Sequence, residues 1–522
     1  MELLERARQW ASHDPDPATA SALSSDIEAA ERGDEEAAAR VGAAMNGPLQ
    51  FGTAGLRGVV GPGESRMNLA VVIRATAGLC EVVKRHATGT PTLVVGCDAR
   101  YGSSEFATAA CRVASAAGVR VLALPQANPT PLTSFSMLHF DADAGVMVTA
   151  SHNPALYNGI KVFTAGGRDA DEVVTRDIED RMTKLEGTRE ARIGQVPYDK
   201  AVARGLIRQI NPFNGYIDSI IDQVDMDAIR RADLKIALDP MFGVSRTSLQ
   251  TILMTARCEV DVIHDRHDTL FGGRMPSPNS ASLDSLKRYV VDNGCALGIA
   301  TDGDADRLGV IDDKGNFLHP NQLLVILYYY LLKYKGWRGP VVRNVATTSL
   351  LDEVAHQFGQ ECHEVPVGFK WVSGKMLETD AIIGGESSGG LTVRGHISGK
   401  DGIYAATLLV EMLAVVGKPM SEIYEEITGQ FAPRYMAETD FTFDSERKQE
   451  ISRVLMEDRL LPEFSENVRE VSYRDGCKVY FEDGWIIARF SGTEPLLRIF
   501  CEMPTRERAE RACEEFRKFL GL

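Results

Sequence analysis

Short apolar runs, three to six residues long, recur along the chain and alternate with longer stretches of amphipathic, helix-period spacing. Residues 92–95, 119–124 and 145–148 read as strands, with a helix over 105–117 between the first two. The alternation restarts with a strand at 234–239, a helix at 245–256 and a strand at 259–263. It restarts again with a strand at 339–343, a helix at 349–358 and strands at 363–365 and 381–383. Three successive blocks of this make-up predict three related α/β domains with mixed, largely parallel sheets. After about residue 430 the texture changes. Strands at 441–443, 479–481 and 485–490 precede a charged helix over 505–519, which predicts a separate α+β domain. Residues 1–48 are rich in Ala and Glu and read as short amphipathic helices forming an accessory cap without chemistry of its own. The expected divisions are a helical extension at 1–48, α/β domains at 49–210, 211–318 and 319–432, and the α+β domain at 433–522.

Composition narrows what these domains do. A chain of 522 residues exceeds what one core can hold, and 44% hydrophobic with 25% charged residues is ordinary globular material. The formal net charge of -16 argues against nucleic acid or an anionic membrane as partner, so an anionic substrate would need locally concentrated positive charge. Nine scattered cysteines without a Cys-x-x-Cys pair suit a reducing cytosol better than structural zinc or a disulfide framework. The first residues carry acids and no apolar signal-peptide core, and no run of 18 apolar residues occurs. The expectation is a cytoplasmic protein.

Four loops carry candidate chemistry. Thr149-Ala-Ser-His-Asn-Pro154 follows a buried strand, so Ser151 is expected exposed at the mouth of a site, with His152 beside it. The bland reading is a serine capping the next helix. Downstream, Asn158-Gly-Ile-Lys-Val162 brings Lys161 close in sequence. Upstream, Phe51-Gly-Thr-Ala-Gly-Leu-Arg-Gly58 presents Arg57 on a glycine-punctuated loop suited to phosphate. Thr301-Asp-Gly-Asp-Ala-Asp-Arg307 sets Asp302, Asp304 and Asp306 at alternate positions, able to converge on a hard divalent cation, with Arg307 following. It is not a calcium EF-hand, because Arg307 stands where the glycine belongs. Gly384-Gly-Glu-Ser-Ser-Gly-Gly390 offers Glu386 and Ser388 to vicinal hydroxyls, with Lys370 upstream and Lys400 downstream. In the last domain Arg489 and Arg498 bracket Ser491, Gly492 and Thr493, a composition that suits phosphate but lacks P-loop spacing.

In this order, the motifs T-A-S-H-N-P, D-G-D-A-D-R, G-E-S-S-G-G and R-x-S-G-T-E-P-x-x-R resemble those of the α-D-phosphohexomutase family, from about residue 50 to the end. The F-G-T-A-G-L-R-G stretch is most similar to the branch of longer phosphoglucomutases and phosphopentomutases. The resemblance implies four domains around a central cleft, the fourth a phosphate-binding lid. It implies that Ser151 is a phosphoserine and that Mg²⁺ is held by Asp302, Asp304 and Asp306 with a phosphoryl oxygen on Ser151. It assigns Arg57, His152, Lys161 and Lys400 to the phosphoryl-transfer site, and Glu386 and Ser388, with Lys370 and Arg307, to sugar-phosphate binding. Arg489, Ser491, Gly492, Thr493 and Arg498 become the distal phosphate clamp. The expected activity interconverts glucose 1-phosphate and glucose 6-phosphate through glucose 1,6-bisphosphate, with some activity on mannose phosphate. The base is expected to be Lys161 or His152, with Lys161 preferred because a desolvated lysine among cations has a depressed pKa. The partner would be a small sugar phosphate, with no nucleic acid and no membrane, and the enzyme a monomer or homodimer. Phosphomannomutase, phosphopentomutase, metal-dependent phosphatase and inactive phosphosugar-binding protein are the competing readings.

Overall fold

The computed structural model describes residues 2–52, 55–185, 193–443, 445–490 and 496–522. The chain divides into two compact units, one of residues 1–317 with 395–411, the other of 318–394 with 412–522.

In the first unit, strands Thr92–Cys97, Arg120–Ala123 and Ala144–Val148 form the parallel centre of an eight-stranded sheet. They read as unbroken apolar runs because both faces are covered. Leu93, Val95, Val121, Val146 and Val148 point into a core shared with helices Leu69–His86 and Ser103–Ala116. Val94, Leu122 and Met147 point the other way, onto Met137 of helix Thr130–His139. Strand Tyr157–Thr164 then pairs antiparallel with Ala144–Val148. A second sheet in this unit orders Glu259–Val262, Lys235–Asp239, Leu297–Thr301 and Leu308–Ile311, again with three parallel strands and an antiparallel fourth.

The second unit repeats that pattern in Cys362–Val365, Val341–Asn344, Ile383–Gly385 and Leu391–Val393. Numbered within each block, all three share the strand order 2-1-3-4. The loop between strands 3 and 4 is the Ser151 loop in the first, the triple-aspartate loop in the second and the Glu386 loop in the third. One supersecondary unit thus offers the same position three times. The second unit also holds an antiparallel five-stranded sheet over Tyr435–Thr442, Glu470–Ser472, Cys477–Tyr480, Trp485–Phe490 and Leu496–Met503, backed by helix Arg506–Leu520.

The amino-terminal segment forms helices Glu2–His13, Pro17–Glu31 and Glu35–Ala44. Ala7, Trp10, Leu23, Ile27 and Val41 enter the main core of the first unit, and the Arg74 guanidinium lies 4.6 Å from the centre of the Trp10 ring. These helices are an integral layer of that unit. Among the described residues, no single helix is long and apolar enough to cross a membrane.

Candidate active site

Ser151 sits where strand Ala144–Val148 ends, in a left-handed conformation (φ 52°) that a non-glycine residue adopts only when its surroundings impose it. Arg100 imposes it. Its guanidinium donates to the carbonyls of Ser151 (2.5 Å), Asn153 (2.7 Å), Pro154 (2.9 Å) and Tyr157 (3.1 Å). Its Nε lies 3.1 Å from Asp98, and both side chains are fully buried. Asp98 in turn accepts from Thr149 Oγ1 at 2.6 Å and Ser103 Oγ at 2.7 Å. Neither Arg100 nor Asp98 was foreseen from sequence, where the only signal was an Asp-x-Arg at the end of a parallel strand. One expectation is corrected here. Ser151 was expected to be exposed, yet it has 0% accessibility because the aspartate loop closes over it.

The Ser151 hydroxyl donates to Asp302 Oδ2 at 2.7 Å. Asp302 Oδ1 accepts the backbone N–H of Asp306 (3.1 Å) and Arg307 (3.0 Å), so this carboxylate also shapes its own loop. Gly303 is required there, because a Cβ would stand 2.9 Å from the Ser151 carbonyl oxygen. Asp304 Oδ2 accepts from Lys161 Nζ (2.7 Å) and Thr130 Oγ1 (2.6 Å), the latter a site contact with no sequence signature. Asp306 Oδ2 accepts from Lys161 at 2.6 Å and lies 3.2 Å from Lys400 Nζ.

The other oxygens, Asp304 Oδ1 and Asp306 Oδ1, are buried with no hydrogen-bond partner among the described residues. Buried carboxylate oxygens without donors are costly, and a divalent cation removes that cost. Ligand oxygens of Asp302, Asp304 and Asp306 lie within 4.8 Å of one another, so three hard oxygen donors fit Mg²⁺.

Cations crowd this acidic pocket despite the chain's negative charge. Arg57 Nη1 donates to Asn153 Oδ1 at 2.9 Å, leaving Nε and Nη2 buried without a partner among the described residues. Gly159 packs under it, where a Cβ would meet the Leu56 carbonyl at 2.4 Å and Arg57 Cγ at 2.9 Å. Arg307 Nε lies 3.9 Å from Asp302 and 4.0 Å from Asp306. The Lys400 segment is fixed by buried Asp401. Its Oδ1 accepts from the N–H of Ile403 (2.8 Å) and Tyr404 (3.0 Å), and its Oδ2 lies 2.8 Å from Tyr216 OH and 2.7 Å from His396 Nε2.

The titration states follow from these distances. Burial and the neighbouring Asp304 and Asp306 push the Asp302 carboxyl well above the usual range. Burial acts the same way on Asp306, but Lys161, Lys400 and Arg307 outweigh it and hold that group low. Burial would lower the Lys161 ammonium, yet Asp304 and Asp306 outweigh burial and raise its pKa. This corrects the expected depression: Lys161 is held as a cation and is a poor proton acceptor. His152, with Nδ1 3.5 Å from Ser151 Oγ, is pushed well below its usual range by burial and then by Arg307 and Arg57. It stays neutral at neutral pH.

The remaining expected residues lie in the second unit. Glu386 is 8% exposed, and its Oε1 accepts from Gly368 N (3.0 Å) and Asn344 Nδ2 (3.2 Å). Ser388 is exposed on the same turn, and Lys370 stands in the first turn of helix Phe369–Thr379. Arg489 Nε donates to Asp475 Oδ1 at 2.9 Å, while Arg498 is half-exposed 3.6 Å from Asp440. Ser491, Gly492 and Thr493 lie outside the described residues.

Comparison with known proteins agrees with this reading over most of the chain, from residue 48 to 519. Models of the phosphoglucomutase/phosphomannomutase family match as α/β/α domain I over residues 48–189, domain II over 214–315, domain III over 319–431 and the C-terminal domain over 446–519. A Thermococcus kodakarensis protein named "Phosphoglucomutase/phosphomannomutase" is 30% identical over 470 residues, 89% of this chain and 96% of that protein. A Pyrococcus furiosus protein named "Probable phosphoglucosamine mutase" is 32% identical over 474 residues, 90% of this chain and 96% of that protein. A crystal structure from Thermus thermophilus superposes with a TM-score of 0.78 at 29% identity, covering 91% of this chain and 99% of that one. The chain belongs to the phosphoglucomutase/phosphomannomutase family, Mg²⁺-dependent isomerases that act by phosphoryl transfer.

Proposed function

We propose that this enzyme is a phosphoglucomutase in which Ser151 carries the phosphoryl group and glucose 1,6-bisphosphate is both intermediate and activator. The observation that carries this reading is the Ser151 hydroxyl, 2.7 Å from Asp302, in a loop cluster where Lys161, Arg307 and Lys400 lie within 4.0 Å of the aspartates and Arg57 bonds Asn153. A buried hydroxyl among that many cations is a poor structural choice and a good seat for a phosphate dianion. Bound to the three aspartates, Mg²⁺ would neutralise charge developing on the transferring phosphoryl group. Arg57, with two buried guanidinium nitrogens that have no hydrogen-bond partner among the described residues, would face the same group.

The neutral imidazole of His152 takes the proton from the attacking sugar hydroxyl and returns it to the departing Ser151 oxygen, 3.5 Å from its Nδ1, while Lys161 remains a fixed positive charge. The phosphoryl group leaves Ser151 for the free hydroxyl of glucose 1-phosphate. The bisphosphate turns round, and its other phosphoryl group returns to Ser151, releasing glucose 6-phosphate. Glucose is the proposed sugar because Glu386, with the Gly368 and Asn344 bonds on Oε1, would offer Oε2 to a hydroxyl beside Ser388. A site built to pair a hydroxyl discriminates against the epimer that lacks it. Relatives bear phosphomannomutase and phosphoglucosamine mutase names, so the sugar is the point to test.

The experiment compares kcat/KM for glucose, mannose, glucosamine and ribose 1-phosphates, each with trace bisphosphate, and locates the phosphate by mass spectrometry. Glucose 1-phosphate should lead, with phosphate on the Ser151 peptide, and Ser151→Ala should abolish turnover. A faster glucosamine or ribose substrate overturns the sugar assignment. An active Ser151→Ala enzyme overturns the carrier.

A further inference from the structure

Asp475 precedes strand Cys477–Tyr480 and belongs to none of the four loops, yet its carboxylate joins two of them. Its Oδ1 accepts from Arg489 Nε at 2.9 Å. Its Oδ2 accepts from the Val367 N–H at 2.7 Å. The next N–H along, that of Gly368, donates to Glu386 Oε1 at 3.0 Å. Gly368 adopts φ 124°, a region closed to other residues without strain, and leads into the helix that carries Lys370. One carboxylate therefore links the arginine expected to grip phosphate to the backbone that sets the sugar loop.

The surroundings hold Asp475 still. Three residues further on, buried Lys478 donates to the Val345 carbonyl at 2.7 Å and to Glu364 at 2.6 Å. Glu364 also accepts from Arg343 Nη1 at 2.6 Å and Tyr480 OH at 2.7 Å. Occupying the Nε edge of Arg489 has a chemical effect too. It fixes the guanidinium plane through Nε, whereas the fork that fits phosphate is the Nη edge.

We propose that Asp475 is a positioning residue that couples phosphate grip at Arg489 to sugar selection at Glu386. This rests on the sugar-phosphate reading of those two residues. A phosphate bound at Arg489 tightens a guanidinium already tied to Asp475, and Asp475 transmits that restraint through Val367 and Gly368 to Glu386. Asn at this position cannot substitute, because its amide N–H₂ would face either the Arg489 donor or the Val367 donor.

The test is a double-mutant cycle on kcat/KM, pairing Arg489→Lys with Glu386→Gln, run in wild type and in Asp475→Ala. In wild type the combined loss should differ from the product of the single losses by about tenfold, the scale of residues in one hydrogen-bond network. In Asp475→Ala the losses should multiply, with the non-multiplicative factor below about twofold. Asp475→Glu, which keeps the charge, should restore part of the coupling, and thermal unfolding checks that each variant is folded. Because a general loss of stability scales all four corners of the cycle alike, it does not mimic loss of coupling. Coupling that persists unchanged in Asp475→Ala overturns the proposal. If Arg489→Lys and Glu386→Gln each leave kcat/KM unaltered, the substrate roles fail instead, and the proposal falls with them.

Discussion

Arg100→Met tests whether the Ser151 loop is held as described. The substitution keeps the length and apolar stem but removes the ion pair to Asp98 and the donors to four carbonyls. Asp98 keeps Thr149, Ser103 and the Arg100 N–H as donors, and the Pro154 carbonyl keeps the Tyr157 N–H. The carbonyls of Ser151 and Asn153 lose the Arg100 Nη2 donor. Removing one member of a fully buried ion pair costs about 3–5 kcal/mol. By the scaling for domains of 150–250 residues, that lowers Tm by roughly 6–20 °C. The guanidinium also sits 4.8 Å from the Phe271 ring centre, a contact the thioether replaces only in part. Activity should suffer beyond stability, because Ser151 holds φ 52° only under these bonds. Displacing a reacting group by an ångström costs about 100-fold, so kcat should fall on that order at a temperature where the variant is fully folded. The assay pairs calorimetry with glucose 1-phosphate turnover at 20 °C below the variant's own Tm. A Tm within about 1 °C of wild type, together with kcat within about threefold, would falsify the account of the loop.

Two further outcomes follow from the site and the last domain. Asp304→Asn should lower kcat by about 100-fold or more while KM changes little, and exhaustive chelation should stop turnover until Mg²⁺ is restored; full activity in chelator would exclude the metal role. Lys478 is lowered to about 8 from 10.5, by burial first and then by Arg343, so between those values the unfolded lysine holds a proton that the folded one lacks. Stability from this group therefore rises with pH across that window, by about 3 kcal/mol at most. The unfolding free energy of wild type relative to Lys478→Met should climb from pH 7.5 to 10.5, and a flat difference would refute the burial argument.

What the sequence determined by itself is local. Runs such as 92–95 and 145–148 announced parallel strands because strands covered on both faces carry no polar alternation. Small polar residues and proline after those runs marked loops at carboxyl ends, and alternate aspartates at 302, 304 and 306 marked a cation site. Composition marked the amino-terminal helices as amphipathic, but it does not report the surface that receives them, which is the core of the first unit around Trp10, Leu23 and Ile27. The tertiary structure decided everything that depends on distance across the chain. It brought Ser151 to Asp302 and Thr130 to Asp304, and it recruited Arg100, whose four carbonyl partners are generic backbone groups that no motif can advertise. It also decided charge. Lys161 read in isolation is a desolvated lysine with a depressed pKa; at 2.6 and 2.7 Å from two buried carboxylates it is a locked cation. Burial acts on a residue alone, whereas an ion pair in a low-dielectric interior depends steeply on separation, and only the folded chain sets that separation.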